Sequence, residues 1–206
     1  MNRVGERYIS MERLAEINSQ DQLEHGYMPL YDTLFEPIRF DLLNVLEIGF
    51  SRGRGARTLA EFFHHSNIHS LELEYKDALP YYEKYPETIK DRVKLYECNQ
   101  GDEAQLKRFI LGKYTSKFHV IIDDGSHDPA HQMLSWRILW PTLFSGGLYV
   151  IEDMHPYYKD GQHPTINHFI DIVHTNNKRG QIKSDLPTTD IEWVMFPNNR
   201  IILRKK

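Results

Sequence analysis

One cysteine, Cys98, is the whole of this chain's thiol chemistry. A disulfide framework is thereby excluded, and a reducing cytoplasm is the expected setting. No apolar run approaches the roughly 20 residues that a membrane-crossing helix needs, so no membrane partner is expected. Neither sign of charge dominates: 25 Lys and Arg against 29 Asp and Glu leave a net charge of -4. A broad basic surface is missing, and with it the expectation of a nucleic-acid partner. The first residues, Met-Asn-Arg-Val-Gly-Glu-Arg, lack the apolar core of a secretory signal. No Gly/Ser/Pro-rich linker, internal repeat or low-complexity tract divides the 206 residues, 40% of which are hydrophobic. That is enough for one domain with a sizeable core.

What the chain does have is alternation. Helical periodicity runs through residues 10–24, on Leu14, Ile17 and Leu23, and resumes around Met28–Phe35. Short apolar runs at 44–49, 68–73, 92–97, 118–123 and 147–152 then alternate with helical stretches at 55–64, 76–86, 102–112 and 129–140. Strand and helix alternating at this pace predict a parallel sheet with helices on both faces. After residue 152 the pattern changes. A helix near 164–177 precedes Ile191–Phe196, Pro197-Asn198-Asn199 and Arg200–Arg204, which read as a β-hairpin closed by an Asn-rich turn. Trp136, Trp140 and Phe144, at i, i+4 and i+8, read as one packed helix face, and Asn167-His168-Phe169 as an amphipathic surface. Tyr157 and Tyr158 could stack on a sugar ring.

The first strand ends in Glu47-Ile48-Gly49-Phe50-Ser51-Arg52-Gly53-Arg54-Gly55. Glycines here allow a tight turn and close backbone approach to a ligand. The spacing is neither the dinucleotide fingerprint nor a phosphate loop. It resembles the first motif of class I S-adenosylmethionine-dependent methyltransferases, although any α/β protein builds strand–turn–helix units. Glu72, 17 residues beyond Gly55 and at the end of the second strand, stands where a carboxylate accepts both ribose hydroxyls of a bound nucleotide. Gln100 and Asp102 follow the third strand, where an adenine ring would lie.

The fourth strand, Phe118–Ile122, ends in Asp123-Asp124-Gly125-Ser126-His127, and the fifth ends in Glu152-Asp153. Adjacent parallel strands bring their carboxyl ends to one rim, so Asp123, Asp124, Glu152 and Asp153 are expected to converge within reach of one divalent ion. Oxygen ligands suit magnesium, manganese or calcium better than zinc. His127 and His131 mimic an i, i+4 zinc pair. Asp128 and Pro129, however, form a helix start that leaves His127 in the loop and only His131 on the helix.

Asp123-Asp124-Gly125-Ser126-His127, His131, Leu139-Trp140-Pro141 and Gly146-Gly147-Leu148-Tyr149-Val150-Ile151-Glu152-Asp153 together resemble the metal-dependent sugar O-methyltransferases of macrolide and rhamnosyl-polyketide biosynthesis. The wider group includes proteins named cephalosporin hydroxylases. The upstream segment His25-Gly26-Tyr27-Met28-Pro29-Leu30-Tyr31 is similar to that family's pre-core element, and the resemblance spans roughly residues 20–155. It implies a Rossmann-like class I methyltransferase fold, a mostly parallel seven-stranded α/β sheet with a C-terminal antiparallel hairpin. Residues 1–40 would form a helical segment packed on a cofactor domain of residues 41–206. The resemblance further implies magnesium (or manganese) at Asp124, Glu152 and Asp153, with His127 as general base. The S-adenosylmethionine contacts would come from Tyr31, Glu47, Gly49, Gly53, Glu72, Gln100, Asp102 and Asp123. The acceptor would be a hydroxyl of a sugar or polyol-like small molecule, and a homo-oligomer is compatible with it. The chain departs from the family's frequent Thr-Asp-Lys at Gln20-Asp21-Gln22.

Two other readings use the same crevice: a non-methylating reaction, hydroxylase-like or pericyclic, and a non-catalytic S-adenosylmethionine-binding subunit. The paired acids and the loop histidine favour catalysis over the subunit. A two-His-one-carboxylate iron triad is not evident on this carboxylate-rich rim, which argues against hydroxylation.

Overall fold

Five apolar runs and a terminal hairpin join into one seven-stranded sheet in the order β3-β2-β1-β4-β5-β7-β6. The strands are β1 (Asn44–Ile48), β2 (Asn67–Glu72), β3 (Val93–Glu97), β4 (Phe118–Asp123), β5 (Leu143–Ile151), β6 (Ile191–Met195) and β7 (Ile201–Lys205). The computed structural model describes residues 9–19, 26–112, 117–154, 163–177 and 190–206. Gln20–Gln22, His25, Tyr157 and Tyr158 lie outside the described residues. β1 to β5 pair in parallel, while β7 runs antiparallel to both β5 and β6. This is the parallel core with an antiparallel hairpin that the sequence pattern predicts.

The two faces of the sheet are covered by different helices because alternate strand residues point to opposite sides. Val45, Val120, Ile122, Val150 and Ile202 share one core with α1 (Met11–Ile17), α2 (Met28–Phe35), α3 (Arg54–Phe62), α4 (Tyr75–Tyr82) and the short α5 (Glu87–Lys90). Leu46, Ile48, Ile121, Tyr149, Ile151 and Leu203 face α6 (Glu103–Gly112), α7 (Pro129–Leu139) and α8 (Pro164–Asn177). In-plane neighbours follow the register, so Glu47 lies beside Ser70 and Ile122. Burying each large apolar side chain contributes about 1.5–3 kcal/mol.

Three local expectations are corrected. The helical stretch expected at 129–140 ends at Leu139, and a 3-10 turn over Trp140–Thr142 leads directly into β5. Phe144 therefore stands on a strand, 38% exposed and packed on His119, while Trp136 and Trp140 are buried. Proline at 141 cannot continue the helix, which is why the face breaks there. Arg200, expected in the second hairpin strand, belongs to the turn, where its N–H bonds the Pro197 carbonyl and Asn199 takes a left-handed φ of 50°. Phe169 is fully buried edge-on against Trp136, so it forms the inward face of α8.

Candidate active site

Glu47, Glu72, Asp123, Asp124, Glu152 and Asp153 stand at the carboxyl rim of the sheet or on the strands leading to it, and pleating sorts those on the strands. Glu47 and Glu152 fall on the α2 face, and Asp123 falls on the α7 face. Glu47 is buried, and its Oε2 accepts a 2.6 Å hydrogen bond from Ser70 Oγ. Burial pushes its carboxyl up to about 8, against the pull of Ser70 and helped by Glu152 and Glu72. Asp123 is also buried, with Oδ1 accepting from Gln100 Nε2 at 2.6 Å. Its carboxyl is raised by burial to about 7, opposed by the Gln100 and Gly125 donors. Both acids are therefore poised between neutral and charged forms near neutral pH.

The glycine loop holds its shape for reasons inside the protein. Gly49 has φ 99°, and a Cβ there would overlap the carbonyl oxygen of Asp124. Gly53, at φ 73°, is the N-cap of α3 and lies against the Tyr85 hydroxyl and the Phe50 ring. The sequence suggests that glycine makes room for a ligand; the structure shows it making room for neighbouring protein. Glu72 reaches back to this loop: its Oε2 accepts from Ser51 N at 2.7 Å and its Oε1 from Leu73 N at 2.8 Å.

Next to this loop, Asp124, His127 and Asp153 each offer a ligand atom, all within 4.8 Å of one another. His127 Nε2 is 3.9 Å from Asp153 Oδ2. The helix start predicted at Asp128 is present, its carboxylate accepting from Ala130 N and His131 N. His127 accordingly stays in the loop. His131 turns away: its Nδ1 pairs with Ser126 Oγ at 2.9 Å and its ring lies over Gly101. The zinc pair is thus absent on geometric grounds.

Glu152 stands outside that three-residue group. It is fully buried, and its Oε1 accepts a very short hydrogen bond from the Tyr31 hydroxyl. Tyr31, Glu47, Glu152, Ile122 and Gly55 line a small pocket beneath the rim. Gln100 ties two loops together, donating to Asp123 and accepting from Ser126 N at 2.9 Å. Asp102 caps α6, accepting from Ala104 N and Gln105 N. Both residues, expected beside an adenine, thus also hold their own loops in place.

Three residues escape the sequence reading. Ser70, a small hydroxyl inside an apolar strand, signals a buried partner and finds it in Glu47. Tyr27 donates to Asp153 Oδ1 at 2.6 Å; its i, i+4 spacing to Tyr31 puts both hydroxyls on the acids. Burial and the adjoining Asp153 and Glu152 carboxylates hold both phenols well above their ordinary range, so both remain donors. Arg200 lies buried with its guanidinium 4.0 Å from the Tyr27 ring centroid and 5.4 Å from that of Tyr31. No local pattern announces it, because its partner is 173 positions away.

No protein-family model matches the chain. It is similar to the 8-demethyl-8-(2-methoxy-alpha-L-rhamnosyl)-tetracenomycin-C 3'-O-methyltransferase of Streptomyces olivaceus, 30% identical over 158 residues, covering 72% of this chain and 38% of that protein. It is likewise similar to the mycinamicin VI 2''-O-methyltransferase of Micromonospora griseorubida, 33% identical over 144 residues, covering 66% of this chain and 33% of that protein. The matches thus cover little more than a third of these relatives' length. In three dimensions it superposes on the MycE methyltransferase of the mycinamycin biosynthetic pathway, solved in complex with Mg, SAH and mycinamycin VI. The TM-score is 0.81 at 23% identity, over 98% of this chain and 54% of that one. A putative caffeoyl-CoA O-methyltransferase from Staphylococcus aureus gives a TM-score of 0.59 at 18% identity, over 97% and 93%. The chain therefore has the Rossmann-like fold of the class I methyltransferases, and over its matched residues it is similar in sequence to the O-methyltransferases of macrolide and tetracenomycin sugars.

Proposed function

We propose that this chain is an S-adenosylmethionine- and divalent-metal-dependent O-methyltransferase acting on a hydroxyl of a small molecule, a sugar or a glycosylated natural product. The observation that carries the reading is the grouping of Asp124, His127 and Asp153 beside a glycine loop whose Gly49 packs on the Asp124 carbonyl and whose Ser51 amide is bonded by Glu72. Two hard carboxylates beside an imidazole fit magnesium or manganese, which need only one or two protein carboxylates and complete their shell with water and substrate oxygens. Asp124 and Asp153 would hold the ion. Glu152, the third acid of the implied set, would support it from below under the grip of Tyr31. Bound there, the ion would acidify a coordinated hydroxyl, and the cofactor would present an electrophilic methyl group.

The chain's own residues have the remaining tasks. Glu72 would accept the ribose hydroxyls, and Glu47 and Tyr31 would face the methionine portion. Gly49 and Gly53 would shape the floor, and Asp123 with Gln100 the adenine side, Asp102 acting through the helix it caps. His127 would take the acceptor's proton at Nε2 as general base. Since the sulfonium charge disappears in the transition state, positioning is the main contribution asked of the protein. The single cysteine supports a reducing cytoplasmic setting, and a homo-oligomer is compatible with the reading. Among the described residues no helix is long and apolar enough to cross a membrane.

The test is to incubate the protein with S-adenosylmethionine, Mg2+ and a panel of glycosides and catechols and to follow S-adenosylhomocysteine. Turnover with a glycoside, lost in EDTA and restored by excess Mg2+, is expected. Undiminished transfer in excess EDTA would remove the metal from the proposal. Cofactor binding without turnover on any hydroxyl would favour the non-catalytic subunit.

A further inference from the structure

Asp153 has two carboxylate oxygens with different neighbours. Oδ1 receives the Tyr27 hydroxyl at 2.6 Å, and Oδ2 is turned to His127, 3.9 Å from its Nε2. The residue is held in a left-handed conformation, φ 52°, and the next amide, Met154 N, bonds the Asn199 carbonyl at 2.8 Å. The carboxylate therefore has little freedom to rotate. Tyr27 is fixed in turn by Arg200, whose Nη1 donates to the Tyr27 carbonyl at 3.3 Å while its Nε donates to the Asn198 carbonyl at 3.3 Å. The guanidinium lies against the tyrosine ring, a stacked arrangement that lysine could not reproduce.

We infer that Tyr27, braced by Arg200, is a selectivity residue that makes Asp153 a one-oxygen ligand and so tunes the site toward an ion of magnesium's size. The inference rests on the metal reading proposed above. Magnesium demands near-ideal octahedral geometry with short bonds, which single oxygens satisfy. Calcium takes six to eight oxygens and accepts a carboxylate through both of them. With one lone pair of Oδ1 committed to the Tyr27 phenol, the two-oxygen mode is disfavoured, which costs calcium more than magnesium, an ion that does not use that mode. Tyr27 is thus a positioning residue, acting through Asp153.

The experiment measures Mg2+ and Ca2+ affinities of the whole chain by titration calorimetry, for the wild type and for Tyr27→Phe. This variant removes one oxygen and keeps the ring on which Arg200 rests. The expected result is a shift of the calcium-to-magnesium affinity ratio toward calcium by about tenfold, the scale of one lost hydrogen bond to a charged group, with the melting temperature lowered by only several degrees and the chain still folded. An unchanged ratio, or a parallel loss of both ions, would overturn the inference while leaving the metal site standing. A wild-type chain that binds neither ion would overturn the metal reading and this inference together. If Tyr27→Phe does not fold, Arg200→Gln carries the same test, and a wild-type ratio in that variant would equally overturn the inference.

Discussion

His127 and Asp153 face each other across the rim at 3.9 Å, and both have left-handed backbones, φ 57° and 52°. Of the five non-glycine residues with positive φ among the described residues, four sit in loops at this rim: Ser51, His127, Asp153 and Asn199. Such conformations cost of order 1–3 kcal/mol each and persist only where surrounding contacts impose them. Here the contacts are specific: Glu72 holds Ser51, Tyr27 holds Asp153, and the Met154 amide holds Asn199. The strain is concentrated where the proposed chemistry takes place.

Replacing His127 by alanine is expected to lower turnover about 10²- to 10⁴-fold, the usual contribution of a positioned general base. Cofactor affinity should change little, because the proposed cofactor contacts do not include the imidazole. Turnover read by S-adenosylhomocysteine release, beside calorimetry of cofactor binding, separates the two effects. A wild-type rate at neutral pH would take the role of base away from His127.

Glu72→Gln should weaken cofactor binding roughly ten- to a hundredfold, as hydrogen bonds to a charged group contribute about 1.5–3 kcal/mol. Its effect on turnover at saturating cofactor should be small. Equal losses in binding and in saturated turnover would point instead to a collapsed loop, since Glu72 also holds Ser51 N.

Glu47 makes a pH prediction. Its carboxyl titrates near 8 in the folded chain, against an ordinary 4.5. Between those values the folded protein keeps a proton that the unfolded chain has released. Stability is therefore fully present below about pH 4.5, falls as pH rises, and levels off above about 8. Asp123, raised to about 7, adds a slope of the same sign over a lower window. Thermal melts without added ligand should show this decline from pH 5 to pH 9, and Glu47→Gln should flatten part of it. An identical slope in the variant would mean that Glu47 is charged throughout.

Gly49→Ala should be costly, because the new methyl overlaps the Asp124 carbonyl and the φ of 99° disfavours any side chain. A loss of about 2–4 kcal/mol, or roughly 5–15 °C in melting temperature, is expected. The same displacement should weaken divalent-ion binding, as it pushes directly on the Asp124 backbone. A stable variant with normal ion affinity would show that the two turns can separate.

Much of the fold was legible because the relevant signals are local. The apolar runs became β1 to β4 within a residue or two, the helix at 164–177 appeared as α8, and the Asp128-Pro129 start was found in place. Where the reading failed, a local signal was outvoted. Phe144 kept helical spacing with Trp136 and Trp140, yet Pro141 ended the helical path and β5 claimed the residue. Gln100 and Asp102, expected beside an adenine, also serve the protein itself: Gln100 bridges Asp123 and Ser126, and Asp102 caps α6. The glycines at 49 and 53 take positive φ, and the atoms that a side chain there would meet belong to Asp124, Tyr85 and Phe50.

By itself, the sequence determined the strands and helices, the rim to which the acids come, and the loop position of His127. These follow from apolar periodicity and capping chemistry, which act over a few residues. Only the tertiary structure decided which oxygens face which partners. Pleating sends Glu152 down to Tyr31, while Asp153, at the strand's end, meets His127 and Tyr27; the antiparallel hairpin brings Arg200 beneath Tyr27. Such pairings depend on strand register and on helices packing from opposite ends of the chain. Contacts over 126 and 173 positions leave no periodic trace in the sequence.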